Sequence, residues 1–279
     1  MGLRRKLYYL LSPHLRYLVR RMYYLPLDAF ERITGRRDKM TPPKGLIFIG
    51  SGDFKSVGEH YLNLFIEHCN LKQNHRVLDI GSGIGRIAVP LTKYLNKEGS
   101  YEGFDIVKRG VDWCRKHITK SFSNFRFTHI DLKNELYNLN TKETAKNFSF
   151  PYNENDFNLV ILTSVFTHML PEDVENYFKE IARVLKPGGK CIVTFFILNE
   201  ESKRYMNSGS GLNFKFSNGF YSLLDTNVKE ANIAFEEEFI LYLVSLNNFS
   251  IEKLLFGFWS GRPKSESFDF QDTLILRKE

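Results

Sequence analysis

The chain is poor in the features that assign a protein quickly. Its 279 residues include three cysteines, Cys69, Cys114 and Cys191. They lie far apart and form neither a Cys-x-x-Cys pair nor a Cys/His pattern with metal spacing. That argues against a zinc site, a dithiol redox centre and a disulfide framework, and it predicts reduced, buried thiols in a cytosolic protein. No metal site is expected. No apolar run reaches the ~20 residues that a membrane-spanning helix needs. The apolar piece after Lys6 is short and broken at Pro13, so it does not read as a signal peptide. The opening Met-Gly is followed by Lys6 where an N-myristoylation signal has Ser or Thr. In such a chain the Asn147-Phe148-Ser149 sequon is expected to be fortuitous. Internal repeats are missing as well.

Unbalanced charge is also missing from most of the sequence. Residues 1–40 hold ten Lys and Arg against three acids and carry the whole formal charge of +7, so the remainder is neutral. This basic arm reads as one or two helices over residues 3–37, interrupted at Pro13 and Pro26. Leu15, Leu18, Val19 and Met22 recur at helical spacing, with Arg16, Arg20 and Arg21 beside them and Tyr8, Tyr9, Tyr17, Tyr23 and Tyr24 along the arm. A basic amphipathic helix with tyrosines suits an anionic membrane surface, where each basic residue contributes ~1 kcal/mol. An arm packed over the domain, or against a second copy in a homodimer, fits the same pattern. Nucleic acid is disfavoured, because no base-reading module accompanies the charge.

What is present begins with VLDIGSGIGR, residues 77–86. Val77, Leu78 and Ile80 favour a strand. Gly81, Gly83 and Gly85 admit positive φ and a close ligand, and Ile87, Ala88, Val89, Leu91, Tyr94 and Leu95 follow with helical spacing. Upstream, Thr41–Gly45 is a linker by its turn residues. LIFIGSGDF (46–54) offers a second glycine approach at Gly50-Ser51-Gly52-Asp53, and a helix is expected from Val57 to Leu71. Downstream, YEGFDIV (101–107) reads as a strand ending in Asp105, Val111–Ile118 as a helix, and Phe125–Ile130 as a strand ending at Asp131. Residues 133–155 are polar and read as a surface loop or small insertion. FNLVILTSVF (157–166) is a strand running into a turn. Val174–Leu185 is an amphipathic helix stopped by Lys186-Pro187-Gly188-Gly189, and CIVTFFIL (191–198) is a buried strand. Residues 199–235 break this rhythm and are dotted with aromatics. A helix at 236–247 and strands near 249–258 and 272–277 complete the chain. Alternating strands and helices predict a parallel sheet with helices on both faces.

In an open sheet of this type the ligand lies beyond the C-terminal strand ends. Asp79, the glycine turn, Asp105 and Asp131 all fall at or near such ends. Asp105 stands 20 residues beyond Gly85, in register to take two ribose hydroxyls. A dinucleotide fingerprint needs a glycine three after Gly83, and that position is Arg86. Together with the acid at Asp79, this favours a ligand with an amino-acid part and no pyrophosphate.

The order VLDIGSGIGR, YEGFDIV, FTHIDL, then FNLVILTSVFTHMLPEDVENYFKEIARVLKPGGKCIVTFF resembles the class I S-adenosylmethionine-dependent methyltransferases, in particular the bacterial group acting on small-molecule or glycan- and lipid-linked acceptors. The likeness covers about residues 46–277. It implies an α/β, Rossmann-like doubly wound sheet of seven strands, mostly parallel with the last antiparallel, as domain 44–279 after an arm and linker at 1–43. By the resemblance, Asp79, Gly81, Gly83 and Gly85 wrap the methionine part of S-adenosylmethionine, Asp105 takes the ribose and Ile106 the adenine face. Asp131 accepts from the adenine amino group with Leu132 alongside, and Thr163 offers its main chain near the sulfonium. His168, directly after the fourth strand, is the candidate base for an O-methylation. Residues 199–235 are the expected substrate cover. A dinucleotide oxidoreductase and a methyltransferase-like scaffold without activity are the alternatives. A cytoplasmic place, peripheral to the inner face of the membrane, is the expected location.

Overall fold

The computed structural model describes residues 11–279 apart from 49, 51 and 210. The first part of the expected arm helix, residues 3–10, and Ile49 and Ser51 of the 46–54 segment therefore lie outside the described residues. From Ser12 onward the arm is one helix, α1 (Pro13–Ile33). Pro13 starts it rather than interrupting it, since a proline at the first helical position forfeits only an N–H that has no intrahelical partner. The Ser12 side chain caps it by accepting from the Leu15 amide, and Pro26 sits inside without ending it.

The remaining helices are α2 (Phe54–Cys69), α3 (Ala88–Tyr94), α4 (Lys108–Cys114), α5 (Pro171–Val184), α6 (Glu200–Asn207) and α7 (Glu237–Leu246). The strands of the main sheet are β1 (Arg76–Ile80), β2 (Ser100–Asp105), β3 (Phe125–His129), β4 (Phe157–Leu162), β5 (Leu185–Phe195), β10 (Phe249–Leu255) and β11 (Asp272–Lys278), numbered around four short strands given below. Their order is β10-β11-β5-β4-β1-β2-β3. β1 and β4 run parallel with Val77 opposite Leu159, β4 and β5 are parallel, and β2 and β3 are parallel with Gly103 opposite Phe127. β11 is antiparallel to both of its neighbours, β5 and β10. The expected sheet of seven strands, parallel but for the last, is the one found.

Two local expectations change. The Lys186–Gly189 stop does not separate helix from strand, because β5 begins at Leu185 directly after α5. β4 advances from Phe157 to Leu159 while β5 advances from Leu185 to Lys190, so the stop sequence becomes a bulge, with Gly188 at φ 72. The apolar run 191–198 is not one strand either. It leaves the sheet at Phe196, because the Ile197 amide donates to Asp272 Oδ2 at 2.8 Å instead of to the ladder. β6 (Ile197–Leu198) then opens a second sheet, β6-β9-β8-β7, with β7 (Phe216–Ser217), β8 (Tyr221–Leu223) and β9 (Ile233–Glu236).

The chain divides into two compact units. One comprises the residues up to Asn74, Ser82–Asp131 and Tyr137–Leu139; the other His75–Gly81, Leu132–Leu136 and Asn140–Glu279. In the second, residues 199–235 share a small core with residues on either side of them in sequence. Phe196, Met206, Phe214 and Trp259 pack together there, and the Trp259 indole N–H donates to Asp272 Oδ2 at 2.6 Å. Phe216 and Phe220 of the same segment stay exposed. Cys69, Cys114 and Cys191 are buried, one use of sulfur that needs no further chemistry.

Candidate active site

In the first unit the glycine turn is clamped to the end of β2. The Ser82 amide donates to the Phe104 carbonyl at 3.0 Å, and the Gly83 amide donates to Asp105 Oδ2 at 2.8 Å. Asp105 Oδ1 accepts from the Val107 amide at 2.6 Å. Burial pushes the Asp105 carboxyl up to about 6, against the pull of those two amides and of His129. A carboxylate offers about four lone-pair directions, so two donors leave room for two more. His129, at the end of β3, donates from Nε2 to the Ile106 carbonyl at 3.2 Å, which fixes the half-buried Ile106 beside Asp105.

Other parts of the first unit explain why the turn has this composition. Gly85 has φ 78, and a Cβ there would stand 2.7 Å from Ile118 Cδ1 and 2.9 Å from Cys114 Sγ. Its demand comes from helix packing. Arg86 is buried, lies over the Phe54 ring and donates to the Gly50 carbonyl at 3.2 Å. Asp53, in the second glycine segment, caps α2 by accepting from the Lys55 and Ser56 amides. Asp131 stands exposed beyond β3, with Oδ1 accepting from Asn138 at 2.8 Å. It is apart from the Asp105 clamp in its surroundings and in its burial.

In the second unit Asp79 is buried in β1 at 1% exposure. Gly81, at φ 76, is held against Val165, whose Cγ2 would be 2.5 Å from an added Cβ. Leu132 is buried and Thr163 half-buried. Past Thr163 the chain turns through Ser164 at φ 58, a left-handed conformation uncommon for serine. The Ser164 amide donates to Thr194 Oγ1 at 2.7 Å and its hydroxyl to Gln271 Oε1 at 2.9 Å, which holds that turn in place.

The turn delivers His168, half-buried at the end of a short 3₁₀ segment (Phe166–His168). Its Nδ1 lies 3.0 Å from the Glu230 carbonyl oxygen. A carbonyl can only accept, so Nδ1 carries a proton, and in a neutral ring Nε2 is then the basic nitrogen. Asn134 donates both to the His168 carbonyl at 3.0 Å and to Glu230 Oε1 at 3.1 Å, and the Glu135 amide donates to Glu230 Oε2 at 2.6 Å. Burial, aided by the charges of Glu135 and Asp173, pushes Glu230 up to about 7 despite these donors. Sequence reading missed Glu230, Asn134 and Gln271. Each lies in a stretch without period or motif.

A protein-family profile described as a methyltransferase domain matches residues 78–193, the span from β1 to β5 that holds the glycine turn, Asp105, Asp131 and His168. Over those residues, somewhat under half of its length, the chain is similar to a methyltransferase domain. Among curated relatives, the chain is 29% identical over 172 residues to the ubiquinone/menaquinone biosynthesis C-methyltransferase UbiE of Wigglesworthia glossinidia brevipalpis. That alignment takes in 61% of this chain and 58% of the relative, so the chain spans little more than half the relative's length. Among solved structures it resembles the PH0226 protein of Pyrococcus horikoshii OT3 (TM-score 0.56, 18% identity, 84% of this chain and 95% of that one). It also resembles an S-adenosylmethionine-dependent methyltransferase of Methanosarcina mazei (TM-score 0.51, 22% identity, 76% and 96%). At these identities the likeness is one of fold.

Asp105 fits the ribose of S-adenosylmethionine by its own chemistry. Asp105 is a buried carboxylate with two fixed amide donors and lone pairs left for two more, the number of hydroxyls a ribose offers. Protein side chains, by contrast, fill the space beside Gly81 and Gly85. Those glycines shape the turn, and Gly83 is the one whose amide holds the Asp105 carboxylate.

Proposed function

We propose that this protein transfers a methyl group from S-adenosylmethionine to a small-molecule or glycan- or lipid-linked acceptor, with a hydroxyl oxygen as the receiving atom. When bound, the cofactor supplies a methyl group already activated on a sulfonium sulfur. The chain's own task is to hold the acceptor in line, exclude water and take up a proton, and orientation alone can contribute ~7 to 11 kcal/mol. The observation that carries the hydroxyl reading is His168, whose Nδ1–H is committed to the Glu230 carbonyl so that Nε2 is the basic atom. Asp105 would take the ribose, Ile106 the adenine face, and Asp79 with Gly81, Gly83 and Gly85 the methionine part. Asp131, with its second oxygen, would accept from the adenine amino group beside Leu132, and the Thr163 main chain would meet the sulfonium side. Residues 199–235 are read as the acceptor's cover within domain 44–279, and residues 1–43 as an arm outside it.

A carbon nucleophile is the second reading. It is favoured by the likeness to a relative named as a C-methyltransferase, and a base at His168 would serve it equally. Mapping the methylated atom of the product by mass spectrometry and NMR separates the two. Among the described residues no helix is long and apolar enough to cross a membrane. We read the protein as cytoplasmic and peripheral to the membrane through its arm.

Calorimetry with S-adenosylhomocysteine tests the cofactor assignment. The wild type is expected to bind saturably, and Asp105→Ala to weaken binding at least ~10-fold, as loss of hydrogen bonds to a charged group implies. Ribose hydroxyls favour the ionised carboxylate, so affinity falls as pH drops through about 6 and is flat above it. No saturable binding together with tight NAD binding would support the oxidoreductase alternative. No binding of either would support the inactive scaffold.

A further inference from the structure

Helix α1 packs with its polar side inward. Arg16 is 6% exposed, and Tyr17, Arg20, Tyr24, Asp28 and Glu31 are half-buried on the same side. Asp28 accepts from the Lys44 amide at 2.7 Å and the Gly45 amide at 2.9 Å. Its carboxylate also lies 3.6 Å from Arg37, while Glu31 pairs with Lys44 at 3.2 Å. Farther up the helix the Arg109 guanidinium stacks 4.1 Å from the Tyr17 ring centre. The opposite face is apolar and turned to solvent: Leu18, Val19, Met22, Leu25, Phe30 and Ile33 are between 38% and 85% exposed. At ~100° per residue these positions fall within one sector of the helix about 140° wide, which makes them a single stripe.

The charge around the stripe says what covers it. Asp28 and Glu31 are spent on the inward side, and Asp38 on Lys55 at 3.1 Å. Arg21, Arg32 and Arg36 are exposed beside the stripe, with Arg36 lying over the Phe30 ring. An apolar face flanked by exposed arginines matches the two layers of an anionic bilayer surface, acyl chain under phosphate. A second copy of the same face would bring those arginine borders against one another. The helix has 21 residues, a length of ~30 Å, and is too polar to cross a membrane. It would lie in the plane of the interface.

We propose that α1 docks this protein on an anionic phospholipid surface, with its exposed apolar stripe in the interface and Arg21, Arg32 and Arg36 at the headgroups. The inference rests on the peripheral-membrane reading above and is independent of methyl transfer. The test is co-sedimentation of the full chain with phosphatidylglycerol/phosphatidylcholine vesicles and with pure phosphatidylcholine vesicles, for the wild type and for Val19→Asp/Met22→Asp. Binding to the anionic vesicles, weakened in high salt and reduced at least tenfold by the double substitution, is the expected result. The variant should retain the wild type's circular dichroism and its S-adenosylhomocysteine binding, so a loss of cofactor binding would fail a different claim. Equal binding by the variant, equal binding to uncharged vesicles, or no binding by the wild type would overturn the proposal. So would a wild-type dimer in sedimentation equilibrium that the double substitution dissociates.

Discussion

Helices α1 and α5 carry the same kind of pattern and bury opposite faces. In α5, Val174, Tyr177, Phe178, Ile181 and Val184 are at most 4% exposed, and Phe178 stacks on Phe166 at 5.3 Å while Tyr177 meets Phe150 edge-on at 5.0 Å. In α1 the apolar stripe is outside and Arg16 is the buried residue. The difference lies in what each helix packs against. α5 meets aromatic rings, which reward apolar contact. α1 meets the Lys44 and Gly45 amides, which need an acceptor, and Asp28 supplies it. Spacing specifies that a helix has two faces; the partner decides which is buried.

The sharpest way to break this contrast is to truncate one residue in each stripe. Phe178→Ala is expected to lower unfolding free energy by ~3 to 5 kcal/mol, as for other buried phenylalanines. Met22→Ala is expected to change it by no more than ~0.5 kcal/mol, as for an exposed site. Urea denaturation followed by circular dichroism measures both, and similar losses in the two variants would mean that the α1 stripe is buried in solution. A smaller effect probes the polar side. Asp28→Ala should lower stability by ~0.5 to 1.5 kcal/mol, because it removes the acceptor of the exposed Lys44 amide and the part-buried Gly45 amide. Since α1 is attached locally, hydrogen exchange at Lys44 and Gly45 should accelerate more than exchange in β4. Uniform acceleration would show that α1 unfolds only with the whole chain.

The same contrast explains how much the sequence disclosed. The parallel sheet was legible because each strand is an apolar run of its own and each glycine turn is local. The place of Asp105 at the end of β2 was legible because it closes an apolar run at a fixed distance from the glycines, and its partner Gly83 is in the same motif. Glu230 was not, since a three-residue turn 62 positions away brings its carbonyl to His168 and no local period records that contact. The split of the 191–198 run at Phe196 was hidden for the same reason, as its cause is the distant Asp272. The stripe of α1 was visible in Leu15, Leu18, Val19 and Met22, but its direction depends on amides beyond the helix.

The smallest effect concerns the one buried acid of α5. Glu180 takes a paired contact from Arg183, at 2.9 Å and 2.6 Å, and accepts from the Phe150 amide at 2.6 Å. Burial works against its charge, yet the hydrogen bonds from Arg183 and Phe150 outweigh it and hold the carboxyl below its ordinary range. A carboxyl lowered in the folded state contributes stability above its unfolded pKa of ~4.3 and loses it as pH falls through the folded value. Wild-type stability should therefore decline on acidification below that point. Glu180→Gln should be less stable at pH 7 and should show a shallower acid decline, because glutamine has no proton to take up. Met22→Ala, which touches only the exposed stripe of α1, should keep the wild-type slope. If Glu180→Gln and the wild type declined in parallel, the Glu180 ion pair would not be what anchors α5, and the contrast between the helices would rest on their apolar faces alone.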